Sequence, residues 1–390
     1  MYPTLSDLLQ DLFGIHIALP IQSFGFMMAI SFLLAAFTIS LELKRKEKLQ
    51  LIKPITQRIL MGAPASTLEL LGSAIIGFFI GFKLGYIFTH YTEFVNDTQG
   101  VILSSKGSMI LGIAVAGLSA WLRYKEKEKE KRPEPKFENV VVHPYQLVGN
   151  ITMIAAISGI IGAKLFHNLE NIDELLRDPM DALVSFSGLT MYGGLIFGTL
   201  AVAWYGKKNN IPIVHLADSI VPGLMLAYGT GRIGCHISGD GDWGIVNLNP
   251  KPDWLSFLPD WAWAYNYPNN VLSEGIPIPG CDGRHCNMLP DAVYPTPLYE
   301  AVACILLFCF LWSIRKHITI PGLITAIYLL LNGTERFLIE KIRVNNKYHI
   351  DGFAITQAEI ISFVMIITGS AAIIYLLTKN RNLKMHHDKP

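Results

Sequence analysis

The chain has 390 residues, of which 51% are hydrophobic and 16% are charged, and its mean hydropathy is +0.37. Soluble domains rarely combine so little charge with so many apolar residues, which argues against an ordinary soluble fold. The formal net charge of +1 gives no indication of nucleic-acid binding.

Nine apolar stretches are each about twenty residues long, which is enough for a helix to cross a hydrocarbon core. They lie at about 19–42, 69–90, 102–122, 146–166, 183–205, 214–237, 297–314, 321–340 and 358–378. The first has no basic flank before it and is too long for the apolar region of a signal peptide, so we predict an uncleaved span. The sequence therefore predicts an all-α polytopic integral membrane protein with about nine transmembrane helices.

The basic residues indicate how these spans are oriented. Lysine and arginine are concentrated after the first, third, fifth, seventh and ninth stretches, whereas the loop at about 91–100 has neither. Because loops rich in lysine and arginine face the cytoplasm, the N-terminus is predicted to be periplasmic and the C-terminus cytoplasmic.

The second and third spans have a pattern of their own. Gly77, Gly81 and Gly85 recur every four residues in the second span, which is typical of two membrane helices that approach closely. After the third span, residues 125–136 alternate lysine and glutamate and then reach two prolines, which indicates a solvated cytoplasmic linker.

The loop at about 238–296 contains four tryptophans, several prolines and few charges. Tryptophan is typical of the membrane interface, and a loop of this length usually has its own fold or a function. We therefore predict a small periplasmic head that rests on the bilayer surface. Cys281 and Cys286 lie in this loop, where a disulfide bond and a zinc site that includes His285 are both compatible with the sequence.

Two clusters of ionisable residues lie at the outer ends of predicted spans, where such groups are costly and are candidates for function. They are Gly231-Arg-Ile-Gly-Cys-His-Ile-Ser-Gly-Asp-Gly-Asp-Trp-Gly244 and Glu335-Arg-Phe-Leu-Ile-Glu-Lys-Ile-Arg343. In the second cluster Arg336, Glu340 and Arg343 are spaced four and three apart, so they are predicted to share one helix face. A purely structural alternative is that such arginines extend to the headgroups and pair with acids.

Arg232 is less easily explained by that alternative, because glycines surround it at positions 229, 231, 234 and 239. Glycine removes side-chain bulk and lets the backbone approach a ligand closely. The guanidinium groups of Arg232 and Arg336, carried by different helices, would match the oxygens of a phosphodiester and stabilise it as a leaving group. We therefore expect a phospholipid ligand.

Other residues of the spans are expected to contribute to the same cavity. The pair Gly193 and Gly194 would kink the fifth span and open a cavity there. Tyr299 and Glu300 lie one turn into the seventh span, and Glu300 should face the cavity because a carboxylate that faces lipid is costly. Asp218 lies early in the sixth span.

These motifs, in this order, resemble those of the prolipoprotein diacylglyceryl transferase family. Tyr192-Gly-Gly-Leu-Ile-Phe-Gly198 is similar to the family's His-Gly-Gly-Leu-Ile-Gly, and Gly231 to Gly244 is similar to its signature Gly-Arg-x-Gly-Asn-Phe-x-Asn-x-Glu-x-x-Gly. Tyr294-Pro-Thr-Pro-Leu-Tyr-Glu300 resembles His-Pro-Ser/Thr-Gln-Leu-Tyr-Glu, and the segment from Arg336 to Arg343 resembles Arg-Phe-x-x-Glu-x-x-Arg. The resemblance covers about residues 145–365, with a loose match at Gln22-Ser-Phe-Gly25.

The resemblance implies transfer of the diacylglyceryl group of phosphatidylglycerol to the lipobox cysteine thiol of a prolipoprotein, with formation of a thioether and release of glycerol phosphate. It implies a bacterial inner-membrane enzyme whose partners are phosphatidylglycerol, prolipoprotein signal peptides and membrane lipids, with no nucleic acid, metal or cofactor. It also suggests a division into an N-terminal membrane region with two additional spans and the charged linker (1–145), a membrane core in two parts (146–237 and 297–378), the head (238–296) and a cytoplasmic tail (379–390).

By this mapping Arg232 and Arg336 bind and neutralise the phosphate, while Glu340 and Arg343 orient Arg336. The expected catalytic residues are Arg232, Arg336, Tyr192 and Asp240. The expected substrate-binding residues are Gly193, Gly194, Asp218, Cys235, His236, Ser238, Gly244, Tyr299, Glu300, Glu340 and Arg343.

The sequence also departs from the family's pattern. Tyr192 stands where the family has histidine, Cys235 and Ser238 stand where it has asparagine, and Asp240 takes the place of the signature's glutamate, with one residue inserted before Trp243. These differences leave Tyr192, His236 and Asp240 as candidates for the proton acceptor.

Two other functions remain to be weighed against a transferase. One is a non-catalytic membrane paralogue that binds phospholipid or lipoprotein precursor. The other, a transporter, is disfavoured because the charges gather at one face of the membrane instead of the midplane.

Overall fold

The chain is built mainly from helices, and its only sheets among the residues described below are three two-stranded antiparallel sheets. The computed structural model describes residues 1–15, 17, 19, 21–96, 98–184, 190–345, 348–350 and 353–387. The elements are, in order, α1 (Leu5–Phe13), α2 (Ser23–Lys48), β1 (Ile55–Met61), α3 (Thr67–Thr89), α4 (Tyr91–Asn96), α5 (Thr98–Leu103), α6 (Met109–Glu130), β2 (Lys136–Val142), α7 (Val148–Glu170), α8 (Ile172–Arg177), α9 (Pro179–Val184), α10 (Met191–Lys208), α11 (Ile213–Ser238), β3 (Ile276–Pro277), β4 (Asn287–Met288), α12 (Thr296–Ile314), α13 (Leu323–Ile339), β5 (Tyr348–Ile350), β6 (Phe353–Ile355) and α14 (Gln357–His387).

Six helical segments in the described part of the chain are long and apolar enough to cross a membrane. They are Ser23–Lys48, Thr67–Thr89, Pro144–Glu170, Ile213–Ser238, Thr296–Ile314 and Gln357–Asn382. Each coincides with a predicted span, which confirms a mostly helical membrane protein. The other three predicted spans coincide with α6, α10 and α13, which are shorter or less apolar. A count of nine spans and their orientation therefore stay predictions.

Helix α11 is the central helix of the bundle. Half of its apolar stretch is buried, a larger share than in the other five segments. It packs against α2 on one side and α12 on another, while α13 packs against α14 and α7 against α10. It ends at Gly239, whose φ of 64° is the left-handed conformation that glycine adopts without strain, and this turns the chain into the long loop that follows.

At the opposite end of the bundle a buried carboxylate joins two helices. Glu42 of α2 is 1% exposed and pairs with Arg45 at 2.5 Å and with Arg315, just after α12, at 3.1 Å. A buried carboxylate is costly unless it is paired, so this ion-pair group fixes the ends of α2 and α12 relative to each other.

Helices α3 and α6 pack against each other as a hairpin. Gly77, Gly81 and Gly85 are buried against α6, and a Cβ atom at Gly81 would lie 2.5 Å from the carbonyl oxygen of Leu111. The predicted packing role of these glycines is confirmed. The strands on either side of the hairpin, β1 and β2, pair in antiparallel register from Ile55↔Val142 to Met61↔Lys136. The predicted linker at 125–136 is only partly irregular, because α6 continues to Glu130.

The loop between α11 and α12 forms a small unit with an apolar and aromatic core of Trp243, Tyr267, Leu289 and Val293. We call this unit, residues 239–295, the head. Cys281 and Cys286 form a disulfide bond next to the hairpin of β3 and β4, so their sulfur atoms are not free to bind zinc. The disulfide alternative is confirmed and the zinc alternative is wrong.

Candidate functional site

The site is organised around Glu300, in the first turns of α12. Its side chain is fully buried, and its carboxylate forms an ion pair with Arg232 of α11 and accepts from Arg336 Nη1 of α13 at 2.8 Å and from Arg343 Nη1 at 3.3 Å. The hydroxyl of Tyr228 also donates to it at 3.3 Å. Three guanidinium groups from two helices and the segment after α13 therefore converge on one carboxylate.

A second carboxylate, Asp242, links the head to these arginines. One of its oxygens accepts from Arg232 Nη1 and the other from Arg343 Nη2. The hydroxyl of Thr296 at the start of α12 donates to the backbone oxygen of Asp242 at 2.7 Å and fixes the loop on the helix. The head thus contributes a charged group to the cluster at this end of the helices.

Gly244 brings the head close to Arg343. Its backbone forms a β-bridge with Arg343, and Ile245 donates its amide to the oxygen of Ile342 at 2.9 Å. A Cβ atom at Gly244 would lie 2.5 Å from that same oxygen, so a larger residue would push the two segments apart. Gly244, predicted to bind substrate, therefore has a positioning role in this geometry.

The third carboxylate is Glu340, which pairs with Arg336 at 3.0 Å and accepts from Asn345 at 2.6 Å. The prediction that Arg336, Glu340 and Arg343 share one helix face is wrong. Helix α13 ends at Ile339, a 3-10 turn follows, and Arg343 has extended backbone. This ending turns Arg343 away from Glu340 and towards Glu300 and Asp242.

Charge is balanced within this group, which we call the arginine cluster: Arg232, Arg336, Arg343, Asp242, Glu300 and Glu340. Three guanidinium groups face three carboxylates. The side chains of the arginines are 8%, 19% and 10% exposed. One donor of the cluster, Arg343 Nε, is buried and has no hydrogen-bond partner. The cluster is therefore largely shielded from solvent, has no net formal charge and retains one guanidinium N–H group without a hydrogen-bond partner.

Asp240, assigned by the sequence to the place of the signature's glutamate, lies beside the cluster instead of within it. Its carboxyl interacts with the Cys235 thiol, and it accepts from the amide of Asp242 at 3.4 Å. Burial, together with the negative charge of Asp242, raises the pKa of Asp240. For Asp242 burial acts in the same direction, but Arg232 and Arg343 outweigh it and hold the pKa of Asp242 below its usual value. The aspartate of this segment that pairs with the arginines is therefore Asp242, which the sequence analysis did not single out, and not Asp240.

Three predicted site residues that follow Arg232 on α11 make different contacts. Cys235 is buried, and its sulfur lies 3.8 Å from Arg232 Nη1. His236 contacts the hydroxyl of Tyr267 at 3.2 Å and stacks on Trp261, so it belongs to the interface with the head. The hydroxyl of Ser238 donates to a backbone oxygen of its own helix.

Four predicted site residues lie away from the cluster. Asp218 accepts from the amides of Gly322 at 2.7 Å and Thr325 at 3.0 Å, and so caps the start of α13. It precedes Arg232 by fourteen residues of helix, about 21 Å at the helical rise. Tyr299 donates to the oxygen of Ala262 and positions the head.

Gly193 and Gly194, the other two, pack α10 against α7, because a Cβ at Gly193 would lie 2.3 Å from the oxygen of Gly162. They lie at the start of α10, so the predicted kink within the fifth span is wrong. Residues 185–189, which precede this helix, lie outside the described residues. Tyr192 lies within electrostatic reach of Arg336, Glu340 and Arg343.

Sequence reasoning missed Tyr228 and Asn345, and it did not single out Asp242 and Glu335 within the two clusters of ionisable residues. Tyr228 lies one helical turn before Arg232, with the guanidinium 5.2 Å from its ring centre, so the spacing of four could have identified it. Glu335 directly precedes Arg336 and is 8% exposed, and neither of its carboxyl oxygens has a hydrogen-bond partner.

One group of potential metal ligands occurs in the described part of the chain, formed by Cys235, Asp240 and Asp242, with ligand atoms within 4.8 Å of one another. Both carboxylate oxygens of Asp242 already accept from guanidinium groups. The geometry therefore fits an ion-pair cluster better than a metal centre.

Comparison with known proteins finds the same family in each match that follows. A statistical model of the prolipoprotein diacylglyceryl transferase family matches residues 107–375. The chain is 28% identical over 241 residues to the phosphatidylglycerol–prolipoprotein diacylglyceryl transferase of Corynebacterium glutamicum, covering 60% of this chain and 71% of that protein. It is 28% identical over 235 residues to the protein of that name from Clostridioides difficile, covering 60% and 79%. The protein of that name from Leptospira interrogans is 25% identical over 283 residues, covering 60% and 80%.

Proposed function

Because this chain belongs to the prolipoprotein diacylglyceryl transferase family, we propose that it transfers the diacylglyceryl group of phosphatidylglycerol to the lipobox cysteine thiol of a prolipoprotein. The observation that carries this proposal is the convergence of Arg232, Arg336 and Arg343 on Glu300 in a buried site. Guanidinium groups match the oxygens of a phosphodiester, which is the charged part of the proposed lipid substrate.

In this proposal the arginines bind the lipid phosphate and stabilise the leaving group. The thiol sulfur attacks the carbon of the diacylglycerol part that is bonded to a phosphate oxygen. The bond between that carbon and the oxygen breaks, its electron pair stays on the oxygen, and glycerol phosphate leaves. Negative charge then grows on that oxygen, where guanidinium groups fixed in a site with little water act most strongly. The unused Arg343 Nε is available to a phosphate oxygen without the loss of an existing hydrogen bond.

Asp242, Glu300 and Glu340 hold the arginines in place. Each carboxylate contacts at least one guanidinium group, and Glu300 contacts three. Fixed orientation of charged groups before the substrate arrives reduces the reorganisation needed in the transition state. We assign positioning roles to these three carboxylates, and Arg343 contacts the phosphate beside Arg232 and Arg336.

The thiol proton needs an acceptor, and Asp240 is the best supported of the three candidates. A carboxyl with a raised pKa is a stronger base than an ordinary aspartate, and Asp240 lies outside the ion pairs. His236 is engaged with Tyr267, and Tyr192 is a poor base at neutral pH. We expect Tyr192→Phe to slow turnover less than Arg232→Ala, as measured by initial rates on the same peptide. The reverse order would contradict a mechanism led by the arginines.

The setting of the reaction follows from the same proposal. The protein is a multi-pass membrane protein, and the cluster lies at the end of the bundle that carries the head. With the orientation predicted from the lysines and arginines, this end faces the periplasm of a bacterial inner membrane, where signal peptides of prolipoproteins emerge. The head would then cover the site from the aqueous side.

The test is a reconstituted reaction. Purified protein in vesicles that contain phosphatidylglycerol is given a lipobox peptide, and the peptide mass is followed. A gain of one diacylglyceryl unit, lost in Arg232→Ala and Arg336→Ala and kept in Arg58→Ala, supports the transferase; Arg58 is an exposed arginine of β1. Because removal of Arg232 leaves Glu300 less well paired, Arg232→Lys and thermal unfolding serve as folding controls. Lipid binding without any mass gain would favour a non-catalytic paralogue.

A further inference from the structure

Glu335 is a buried acidic residue next to the arginine cluster. It is on α13, immediately before Arg336, with 8% of its surface exposed and with both carboxyl oxygens lacking hydrogen-bond partners. A polar group buried without a hydrogen bond is costly, and an unpaired buried charge is more so. Since three carboxylates already neutralise the three arginines, Glu335 is a surplus acidic group.

The titratable groups that interact electrostatically with Glu335 come from α11, α12, α13 and the segment after α13. They are Tyr228 and Arg232 of α11, Glu300 and Cys304 of α12, Tyr328 and Arg336 of α13, and Arg343 after α13. The arginines attract an ionised Glu335 and Glu300 repels it. The guanidinium groups are already shared among Asp242, Glu300 and Glu340.

The net charge of the site determines whether Glu335 can stay ionised when a lipid phosphate binds. The cluster without Glu335 is neutral, and a phosphodiester brings one negative charge. If Glu335 were also ionised, the buried site would carry two uncompensated negative charges. Like charges in a poorly solvated site repel strongly, and the repulsion can be relieved by protonation of one of them.

We propose that Glu335 carries a proton when phosphatidylglycerol is bound, so that at alkaline pH binding of the lipid phosphate to the arginine cluster is linked to the uptake of one proton. Glu335 is then a positioning residue that acts through the charge of the cluster and sets the pH range in which the anionic lipid binds. This inference rests on the proposed function, because it takes the phosphodiester of phosphatidylglycerol as the ligand.

The linked uptake of a proton determines how the affinity for lipid changes with pH. At a pH where Glu335 is ionised in the free protein, binding must first add a proton, so the affinity for lipid falls as pH rises. One linked proton corresponds to a loss of affinity of up to about tenfold for each pH unit. At lower pH, where the proton is already present, affinity should be constant.

The experiment measures equilibrium binding of phosphatidylglycerol with a fluorescent acyl chain to the full-length protein in detergent, between about pH 6 and pH 9.5. Wild type should lose affinity at the alkaline end. Glu335→Gln, which has the same shape without a titrating carboxyl, should bind equally at all pH values and more tightly than wild type at the alkaline end. Glu93→Gln, the same substitution in an exposed ion pair of the α3–α6 loop, should behave as wild type. Asp240→Asn should keep the wild-type slope.

Other outcomes would overturn the inference. The inference is contradicted if the affinity of the wild type for lipid does not change with pH. It is also contradicted if the affinity of Glu335→Gln changes with pH as steeply as that of the wild type. If Glu335→Gln does not fold, proton uptake on lipid addition is measured for wild type with a pH-sensitive dye in weak buffer at alkaline pH. About one proton per bound lipid is expected, and none would contradict the inference. Linked proton uptake without peptide modification would contradict the proposed function alone, whereas peptide modification without linkage would contradict only the role of Glu335.

Discussion

Asp240 and Asp242 lie two residues apart in the same loop, yet the structure gives them different roles. Asp242 accepts from Arg232 and Arg343, whereas Asp240 interacts with Cys235. Substitution of each aspartate by asparagine keeps the shape and removes only the charge. The two variants are therefore matched controls for each other.

Asp242→Asn should reduce both stability and turnover. Removal of one partner from a buried ion pair costs about 3–5 kcal/mol, and because 28% of the Asp242 side chain is exposed we expect about 2–3 kcal/mol. The arginines lose a fixed contact but remain present, so turnover should fall by about tenfold to a hundredfold. This is no more than the loss expected when a group that directly stabilises the developing charge is removed. The lipid KM should not rise, because the cluster gains one net positive charge.

Asp240→Asn should reduce stability by less than about 1 kcal/mol, because no guanidinium group loses its partner. It should slow turnover, because the thiol loses its proposed proton acceptor, and it should change the pH profile of the activity that remains. A base with a raised pKa loses its basic form at a higher pH than an ordinary aspartate, so wild-type turnover should fall as pH decreases through that pKa. This acidic decline should be absent in Asp240→Asn.

The measurements are thermal unfolding in detergent and initial rates of peptide modification from about pH 4 to pH 8. Greater destabilisation by Asp240→Asn than by Asp242→Asn would refute the assignment of the ion-pair role. An unchanged acidic decline in Asp240→Asn would show that another group accepts the proton.

Three further predictions follow from contacts outside the cluster. Asp218→Asn should lower stability by about 1 kcal/mol through a weaker cap on α13 and leave the lipid KM unchanged; a large rise in KM would return Asp218 to the substrate site. Gly193→Val should destabilise the protein strongly, because its side chain would overlap the oxygen of Gly162, and wild-type thermal stability would contradict the α7–α10 packing. Replacement of Cys281 and Cys286 by serine should lower the stability of the head by about 2 kcal/mol and be detected as faster proteolysis within the head, with peptide modification retained; loss of activity in intact protein would contradict a purely structural disulfide.

The sequence predicted the helical membrane fold and the main charged groups because both give strong local signals. Apolar stretches of spanning length stand out from the rest of a chain, and an arginine or glutamate next to one is conspicuous. Arg232, Glu300 and Arg336 were identified in this way, and the structure brings them into contact.

The errors came where contacts depend on distant parts of the chain. Asp240 and Asp242 could not be distinguished, because a loop has no periodicity that indicates which carboxylate faces the arginines. Arg343 was placed on a helix face that ends before it, since a 3-10 turn has no clear sequence signal. Asp218 was assigned to the substrate from the family resemblance, and its capping role could not be predicted because its partners, Gly322 and Thr325, lie more than 100 residues away.

The ribbon of β1 and β2 determines how the α3–α6 hairpin is attached. At its far end the amide of Arg132 donates to the oxygen of Gly62 at 3.2 Å, so the chain leaves and returns at neighbouring points. A short turn in place of residues 63–131 would leave the ribbon's register intact and would not redirect α2 or α7. The hairpin is therefore an insertion that could be removed or added without a change in the path of the other helices.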